Sequence, residues 1–151
     1  MDKMLARCQE HHVLVCVDSR AQITSFKHVD IMTPNVPEAE HAVGFDIACE
    51  EDVHRAGACL MKQSACGFCL LTQGRLGMTL FRPGERPVHE DVVGTSEITD
   101  VTGAGDTVMA VFAAGVAAGL GGVNSMKLAN VAASVGAVSY THLTLPTKRS
   151  V

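Results

Sequence analysis

The sequence predicts an α/β domain with a mainly parallel sheet, and three observations lead to this fold class. Residues 12–18 (HVLVCVD) form a continuous apolar run, as expected for a strand that is buried on both faces. Strand-like and helix-like segments alternate along the chain, which is typical of a parallel sheet covered by helices. A glycine-rich turn at residues 100–107 (DVTGAGDT) leads into a long apolar segment. The length of 151 residues suits one modest domain.

The first elements follow from apolar runs and from the prolines between them. Residues 12–18 are the first predicted strand, and residues 29–33 (VDIMT) are the second. Pro34 and Pro37 bracket the loop after it. Because proline suits the first turn of a helix, a helix is predicted from near Pro37 to near Gly44.

The rest of the chain continues the same alternation. Acidic residues at 50–52 favour a helix N-terminus through the helix dipole, and glycines at 74 and 77 indicate a turn between two strands. The predicted elements are a helix at 50–64, strands at 67–73, 78–82 and 87–93, and helices at 104–119 and 125–138.

Composition and charge exclude several classes of function. The net charge is −4 and no basic stripe is present, which argues against binding to nucleic acid or to an anionic membrane. With five Phe, one Tyr and no Trp, the chain also lacks a platform for base stacking. No signal peptide is recognisable, and the longest apolar run, residues 108–120, is too short to span a bilayer. We therefore expect a cytoplasmic protein.

The six cysteines invite a metal or disulfide interpretation, but only Cys66 and Cys69 form a CxxC pair. These two lie in the segment CGFCLLT, which looks like a strand, and residues three apart on a strand face opposite sides and so share a metal poorly. We expect the cysteines to be small buried hydrophobic residues in a reducing compartment.

The turn at residues 100–107 carries the chemistry. Gly103 and Gly105 let the backbone approach a ligand closely, and the free amides of the following helix attract an anion such as phosphate. Asp106 would repel that anion, so its presence makes sense if it removes a proton from a hydroxyl that attacks the phosphate. The alternative is that Asp106 with the nearby glycines only caps the helix.

Three motifs in order resemble the ribokinase (PfkB-type) family of carbohydrate kinases. DVTGAGDT resembles the C-terminal signature of that family, TPNVPEAE at residues 33–40 resembles its Asn-x-x-Glu element, and LLTQGRLGM at residues 70–78 resembles the strand and turn at its nucleotide site. The resemblance covers residues 12–138. The sequences of the motifs are most similar to those of the branch that phosphorylates D-glycero-β-D-manno-heptose 7-phosphate. It implies a ribokinase-like three-layer α/β/α fold.

The resemblance also implies the roles of individual residues. Asp106 resembles the catalytic base that activates the sugar hydroxyl, and Gly103, Ala104 and Gly105 resemble the anion hole for the transferring phosphoryl group. Asn35 and Glu38 resemble the element that organises Mg²⁺ and phosphates.

Further residues resemble the nucleotide and cation sites of the family. Asp100 and Thr102 resemble residues near a monovalent-cation site for K⁺, which not every branch uses. The residues expected near ATP are Thr72, Gly74, Gly77 and Asn130. For some of these residues a structural role remains the alternative: Asn35 in a turn, Gly74 and Gly77 in a hairpin, and Asn130 on an ordinary helix face.

The resemblance implies an enzyme that moves the γ-phosphate of ATP to a hydroxyl of a sugar or sugar phosphate. The expected substrate is heptose 7-phosphate, a precursor of lipopolysaccharide, with ATP and Mg²⁺ as cofactors. The alternatives are another kinase of the family, acting on ribose, fructose phosphate, adenosine or ketodeoxygluconate, or an inert nucleotide-binding fragment. Members of the family are often dimers, an assembly on which this sequence is silent.

The chain is about half as long as a member of the family. Residues 1–138 resemble the C-terminal, nucleotide-side part of the kinase domain, so the N-terminal half and the lid would be absent. Residues 139–151 (SYTHLTLPTKRSV) fit neither helix nor strand, and we interpret them as a non-native or disordered tail. Because edge strands would then be exposed, we expect this chain alone to be marginally stable and weakly active or inactive.

Overall fold

The computed structural model describes residues 2–18, 23–93 and 104–141. Within these ranges the helices are α1 (Asp2–Glu10), α2 (Val36–Val43), α3 (Glu50–Ser64), α4 (Ala104–Ala117) and α5 (Gly122–Thr141). The strands are β1 (Cys16–Val17), β2 (Ile31–Met32), β3 (Phe68–Thr72), β4 (Met78–Phe81) and β5 (Val88–Glu90), and short 3₁₀ helices occupy Ile23–Ser25 and Gly74–Leu76.

Most predicted elements are present, with three differences. Helix α1 was not predicted, and β1 and β2 are shorter than the apolar runs that predicted them. Helix α5 extends to Thr141, three residues into the segment interpreted as a tail, whereas residues 142–151 lie outside the described part of the chain. The helix predicted at residues 50–64 has those same bounds in the structure.

The five strands form one sheet in the order β1-β2-β3-β4-β5. Strands β1, β2 and β3 are mutually parallel, and β4 is antiparallel to both β3 and β5. Four of these five strands therefore run in one direction, which confirms the prediction of a mainly parallel sheet. The carboxyl ends of β1, β2 and β3 meet at one edge, where α/β proteins usually bind ligands.

The sheet separates two apolar cores, because side chains alternate along each strand. In β3, Cys69 and Leu71 pack with Ala39 of α2 and Leu60 of α3. Leu70 points to the other face, into a core with Val108, Phe112, Met126 and Ala129 of α4 and α5. This packing confirms three layers, α/β/α. None of the helices in the described ranges is long and apolar enough to cross a membrane.

The cysteine pair departs from the prediction. Cys66 precedes β3, and its side chain enters the same core as Cys69, so the expectation that the two face opposite sides is wrong. Burial raises the pKa of both thiols, and that of Cys69 lies well above its usual range. All six cysteines are free. The prediction that they are buried is right for Cys66 and Cys69 only, since Cys49 is exposed and the other three are partly buried: Cys8, Cys16 and Cys59. The described residues contain no group of three or more His, Cys, Asp or Glu side chains that could hold a metal ion.

Helix α2 begins with a capping box. Asn35 Oδ1 accepts a hydrogen bond from the Glu38 amide at 2.9 Å, and Glu38 Oε2 accepts one from the Asn35 amide at 3.0 Å. This reciprocal pair satisfies two backbone donors at the helix start. It also fixes the position at which the chain leaves β2.

We expect Asn35→Ala to lower the free energy of unfolding by about 1 kcal/mol, because the cap acceptor is lost. Urea unfolding followed by circular dichroism measures the change. Asn35→Asp keeps an oxygen acceptor in the same place and is expected to remain near the wild-type value. Equal losses in the two variants would show that the cap does not stabilise this helix.

Candidate functional site

A cavity of about 270 Å³ lies at the carboxyl edge of the sheet, in front of α4. The cavity is lined by the loop after β2, the end of β3 with the following turn, the start of β4, the segment after β5, and helices α4 and α5. Its lining residues are Asn35, Thr72, Gly74, Arg75, Gly77, Met78, Val92, Ala104, Gly105, Val108, Asn130, Ala133 and Ser134. Seven of the residues predicted for the site are among them.

The ends of β2 and β3 form one wall of the cavity. Asn35 and Thr72 pair in an isolated parallel bridge, and the Thr72 amide donates to the Pro34 carbonyl at 2.9 Å. Two of the three predicted motifs are thus side by side in space. Glu38 lies one helical turn beyond Asn35 and is partly buried, and it does not line the cavity.

The turn between β3 and β4 forms the floor. Gly74 and Gly77 both have positive φ, +59° and +87°, a conformation that favours glycine. The Gln73 amide donates to the Gly77 carbonyl at 2.8 Å, which closes the turn. A Cβ atom on Gly77 would overlap the Glu90 carbonyl oxygen, so only glycine fits there. Each glycine therefore has a hairpin role in addition to lining the cavity.

The first turn of α4 closes the cavity on the third side. Ala104 and Gly105 line it, and the first amides of a helix have no acceptor within the helix. The helix dipole adds partial positive charge at this end, so the geometry suits an anion. Asp106 follows Gly105, is exposed, and is not a lining residue. Asp100, Thr102 and Gly103 fall outside the described residues.

Asn130 of α5 is almost fully buried, with 2% of its surface exposed. Its Nδ2 donates to the Asp91 carbonyl at 2.6 Å, and its Oδ1 accepts from the Val93 amide at 3.4 Å. Val92, between these two residues, lines the cavity. Asn130 therefore anchors the backbone that follows β5, beside the place where a nucleotide was predicted.

Sequence reasoning missed some lining residues, of which Arg75 is the clearest. Its exposed guanidinium stands between the two glycines of the turn and brings a positive charge to a site predicted for phosphates. The sequence feature that could have identified it is a single arginine between the two glycines of the turn. The remaining missed residues are Met78, which ends the motif at residues 70–78, and four residues that belong to none of the three motifs: Val92, Val108, Ala133 and Ser134.

The oxygen atoms near this cavity fit a magnesium ion that is shared with a nucleotide. Mg²⁺ is usually bound through one or two carboxylates plus substrate phosphates, and it keeps several waters. Asn35 and Glu38 bring amide and carboxylate oxygens together at the helix start. The described part of the chain offers no larger carboxylate cluster that could hold a metal without a nucleotide.

Comparison with known proteins agrees with the three motifs. The sequence model described as pfkB family carbohydrate kinase matches residues 1–147. The bifunctional protein HldE of Geobacter sulfurreducens is 36% identical over 134 residues, and that of Erwinia tasmaniensis is 40% identical over 136. These matches cover 88% and 89% of this chain but 27% and 28% of the relatives, so the chain spans about a quarter of their length.

Solved structures give the same result for the fold. Ribokinase of Arabidopsis thaliana, solved with ribose and ATP, superimposes with a TM-score of 0.71 at 28% identity, covering 83% of this chain and 41% of that protein. Phosphofructokinase-2 of Escherichia coli superimposes with a TM-score of 0.76 over 88% of this chain and 44% of its own, and at 15% identity it supports the fold alone. The chain belongs to the pfkB family of carbohydrate kinases.

Proposed function

We propose that the cavity binds ATP with Mg²⁺, and that the chain is the nucleotide-side part of a kinase. This kinase would transfer the γ-phosphate to a hydroxyl of a sugar phosphate, heptose 7-phosphate. The observation that carries the proposal is the convergence of the three motifs. The Asn35 segment, the glycine turn after β3 and the first turn of α4 surround one cavity.

Each part of the cavity has a chemical task in phosphoryl transfer. The amides of Ala104 and Gly105 would stabilise charge on the transferring group, and Arg75 would add a positive charge beside the phosphates. Asn35 and Glu38 would hold the magnesium ion, which neutralises phosphate charge when it is bound. Asp106 would take the proton from the attacking hydroxyl. K⁺ binding near Asp100 and Thr102 remains part of the proposal.

The proposal of heptose 7-phosphate as substrate depends on two observations. The motif sequences resemble those of the heptose kinase branch, and the similar relatives are HldE proteins. Two of these relatives match almost nine tenths of the chain. Since only about a quarter of each relative is covered, the segment that recognises the sugar is inferred from the family. A panel of sugar phosphates, offered with Mg-ATP, tests this part separately from nucleotide binding.

We expect saturable binding of Mg-ATP to the chain in isothermal titration calorimetry, with weaker binding when EDTA removes the metal. Arg75→Ala is expected to weaken binding about 2- to 5-fold, because an exposed charge contributes up to about 1 kcal/mol. The matched control is Arg86→Ala, an exposed arginine that does not line the cavity. Absence of saturable binding by the folded chain would contradict the proposal.

A further inference from the structure

A second cavity of about 310 Å³ lies on the other side of the β3–β4 turn. Its walls include Gln73, Leu76, Thr79 and His89. The two cavities share this turn, yet they take different residues from it. Gln73 lines only the second cavity, whereas its neighbours Thr72 and Gly74 line only the first.

Three side chains of the second cavity are linked to one another by two hydrogen bonds. Gln73 Nε2 donates to Thr79 Oγ1 at 2.8 Å, and Thr79 Oγ1 lies 2.9 Å from His89 Nδ1. Because the amide nitrogen can only donate, the threonine oxygen accepts from it, and in the Nε2–H tautomer of His89 the threonine hydroxyl donates to Nδ1. The other ring nitrogen, Nε2, faces Asp91 Oδ1 at 3.4 Å.

These hydrogen bonds connect an exposed turn to a buried strand. Thr79 is 2% exposed, in the middle of β4, while Gly74, Arg75 and Leu76 are exposed. The turn itself is closed by two backbone bonds, from the Gln73 amide to the Gly77 carbonyl and from the Gly77 amide to the Gly74 carbonyl. The Gln73–Thr79 and Thr79–His89 hydrogen bonds are partly buried, so the Gln73 side chain adds a second anchor to the backbone bonds that close this turn.

We propose that Gln73, Thr79 and His89 are positioning residues for the nucleotide turn at residues 73–77. They hold Gly74 and Arg75 in place at the first cavity without touching its contents. The inference rests on the proposed nucleotide function of that cavity. It predicts that the affinity for Mg-ATP depends on side chains that face the opposite cavity.

The test compares two variants, one at each end of the hydrogen-bonded series Gln73–Thr79–His89. Gln73→Met and His89→Phe keep the side-chain size but remove the donor or the acceptor. Each is expected to weaken Mg-ATP binding about 2- to 10-fold, as for loss of one hydrogen bond. If both residues act through the same series of hydrogen bonds, the double variant weakens binding less than the product of the two single effects.

A rescue variant and a control separate positioning from general damage. His89→Asn places an acceptor oxygen near the position of Nδ1 and is expected to bind Mg-ATP within about 2-fold of wild type. Glu50→Gln changes an exposed residue that lines the same cavity but lies outside the turn, and no loss of affinity is expected. Equal losses in His89→Asn and His89→Phe would overturn the proposal.

Amide hydrogen exchange provides a readout that needs no nucleotide. In Gln73→Met the amides of Gln73 and Gly77 are expected to exchange about 2- to 10-fold faster, with the amide of Leu60 in α3 unchanged as a sign of intact folding. Faster exchange in a chain that never binds Mg-ATP would reject the proposed function and keep the positioning role. Unchanged exchange at Gln73 and Gly77 would reject the positioning role itself.

Discussion

Gly77→Ala is expected to lower the free energy of unfolding by about 3 kcal/mol and to abolish binding at the first cavity. Two effects add. With φ of +87° and ψ of −139°, Gly77 has a backbone conformation that side chains rarely adopt, which costs about 1–2 kcal/mol for alanine. The new Cβ would also overlap the Glu90 carbonyl oxygen and lie 2.9 Å from the Asp91 Cα. These are backbone atoms of the adjacent chain segment, so relief requires the strand to move.

Two matched glycine variants separate these effects. Gly84 has φ of +72° and no neighbouring atom within 4 Å of the position that an added methyl group would take, so Gly84→Ala carries the conformational cost alone, about 1 kcal/mol. Gly74→Ala, with φ of +59° and equally open space, measures the same cost within the nucleotide turn. Urea unfolding gives the three values. If Gly77→Ala loses no more than Gly84→Ala, the backbone after β5 is free to move away.

Local signals account for the part of the fold that was predicted correctly. Helix α3 has three acidic residues in its first turn and ends at Ala65 in the left-handed conformation. Asp52 accepts hydrogen bonds from the Cys49 thiol and the Ala48 amide, which hold the pKa of its carboxyl below the usual range. Such interactions are set within a few residues, so the sequence pattern contains them.

Tertiary contacts account for the parts that were missed. Helix α1 is short and mostly polar, and Leu5 is the one buried residue among its side chains that the structure describes, so no apolar run marks it in the sequence. Strand β1 is short because pairing with β2 is limited to Cys16 and Val17, although the apolar run begins earlier. Pairing partners lie far away in sequence, and no local pattern states where pairing stops.

In the candidate site, too, features set by neighbouring residues were predicted, and features set by distant contacts were missed. Thr72, Gly74 and Gly77 lie together at the cavity because a glycine turn after a strand already dictates its own shape, and their predicted contact with a nucleotide stays a prediction. The anchoring of residues 91–93 by Asn130 was missed, since the partners are nearly forty positions apart in the chain. Cys66 was assigned to the wrong face because β3 starts later than its apolar run suggested.

Asp106→Asn is expected to reduce phosphoryl transfer about 10³-fold while leaving Mg-ATP binding within about 2-fold of wild type. Asparagine has nearly the same shape but cannot take a proton from a sugar hydroxyl. The side chain is exposed in the first turn of α4, beside Ala104 and Gly105, so the substitution leaves both cores and the cavity lining intact. A loss confined to turnover is therefore the signature of a base, whereas a helix cap would affect stability instead.

The measurement needs the remainder of a kinase, which a chimera supplies. Residues 2–141 of this chain replace the matching segment of the Geobacter sulfurreducens relative, and phosphate transfer from Mg-ATP to heptose 7-phosphate is followed. The control is Asp46→Asn, an exposed aspartate that does not line the cavity. Turnover within tenfold of the unsubstituted chimera would remove Asp106 as the base. An equal fall in stability and turnover would instead favour its role as a cap, because a proton acceptor acts on the rate and not on the fold.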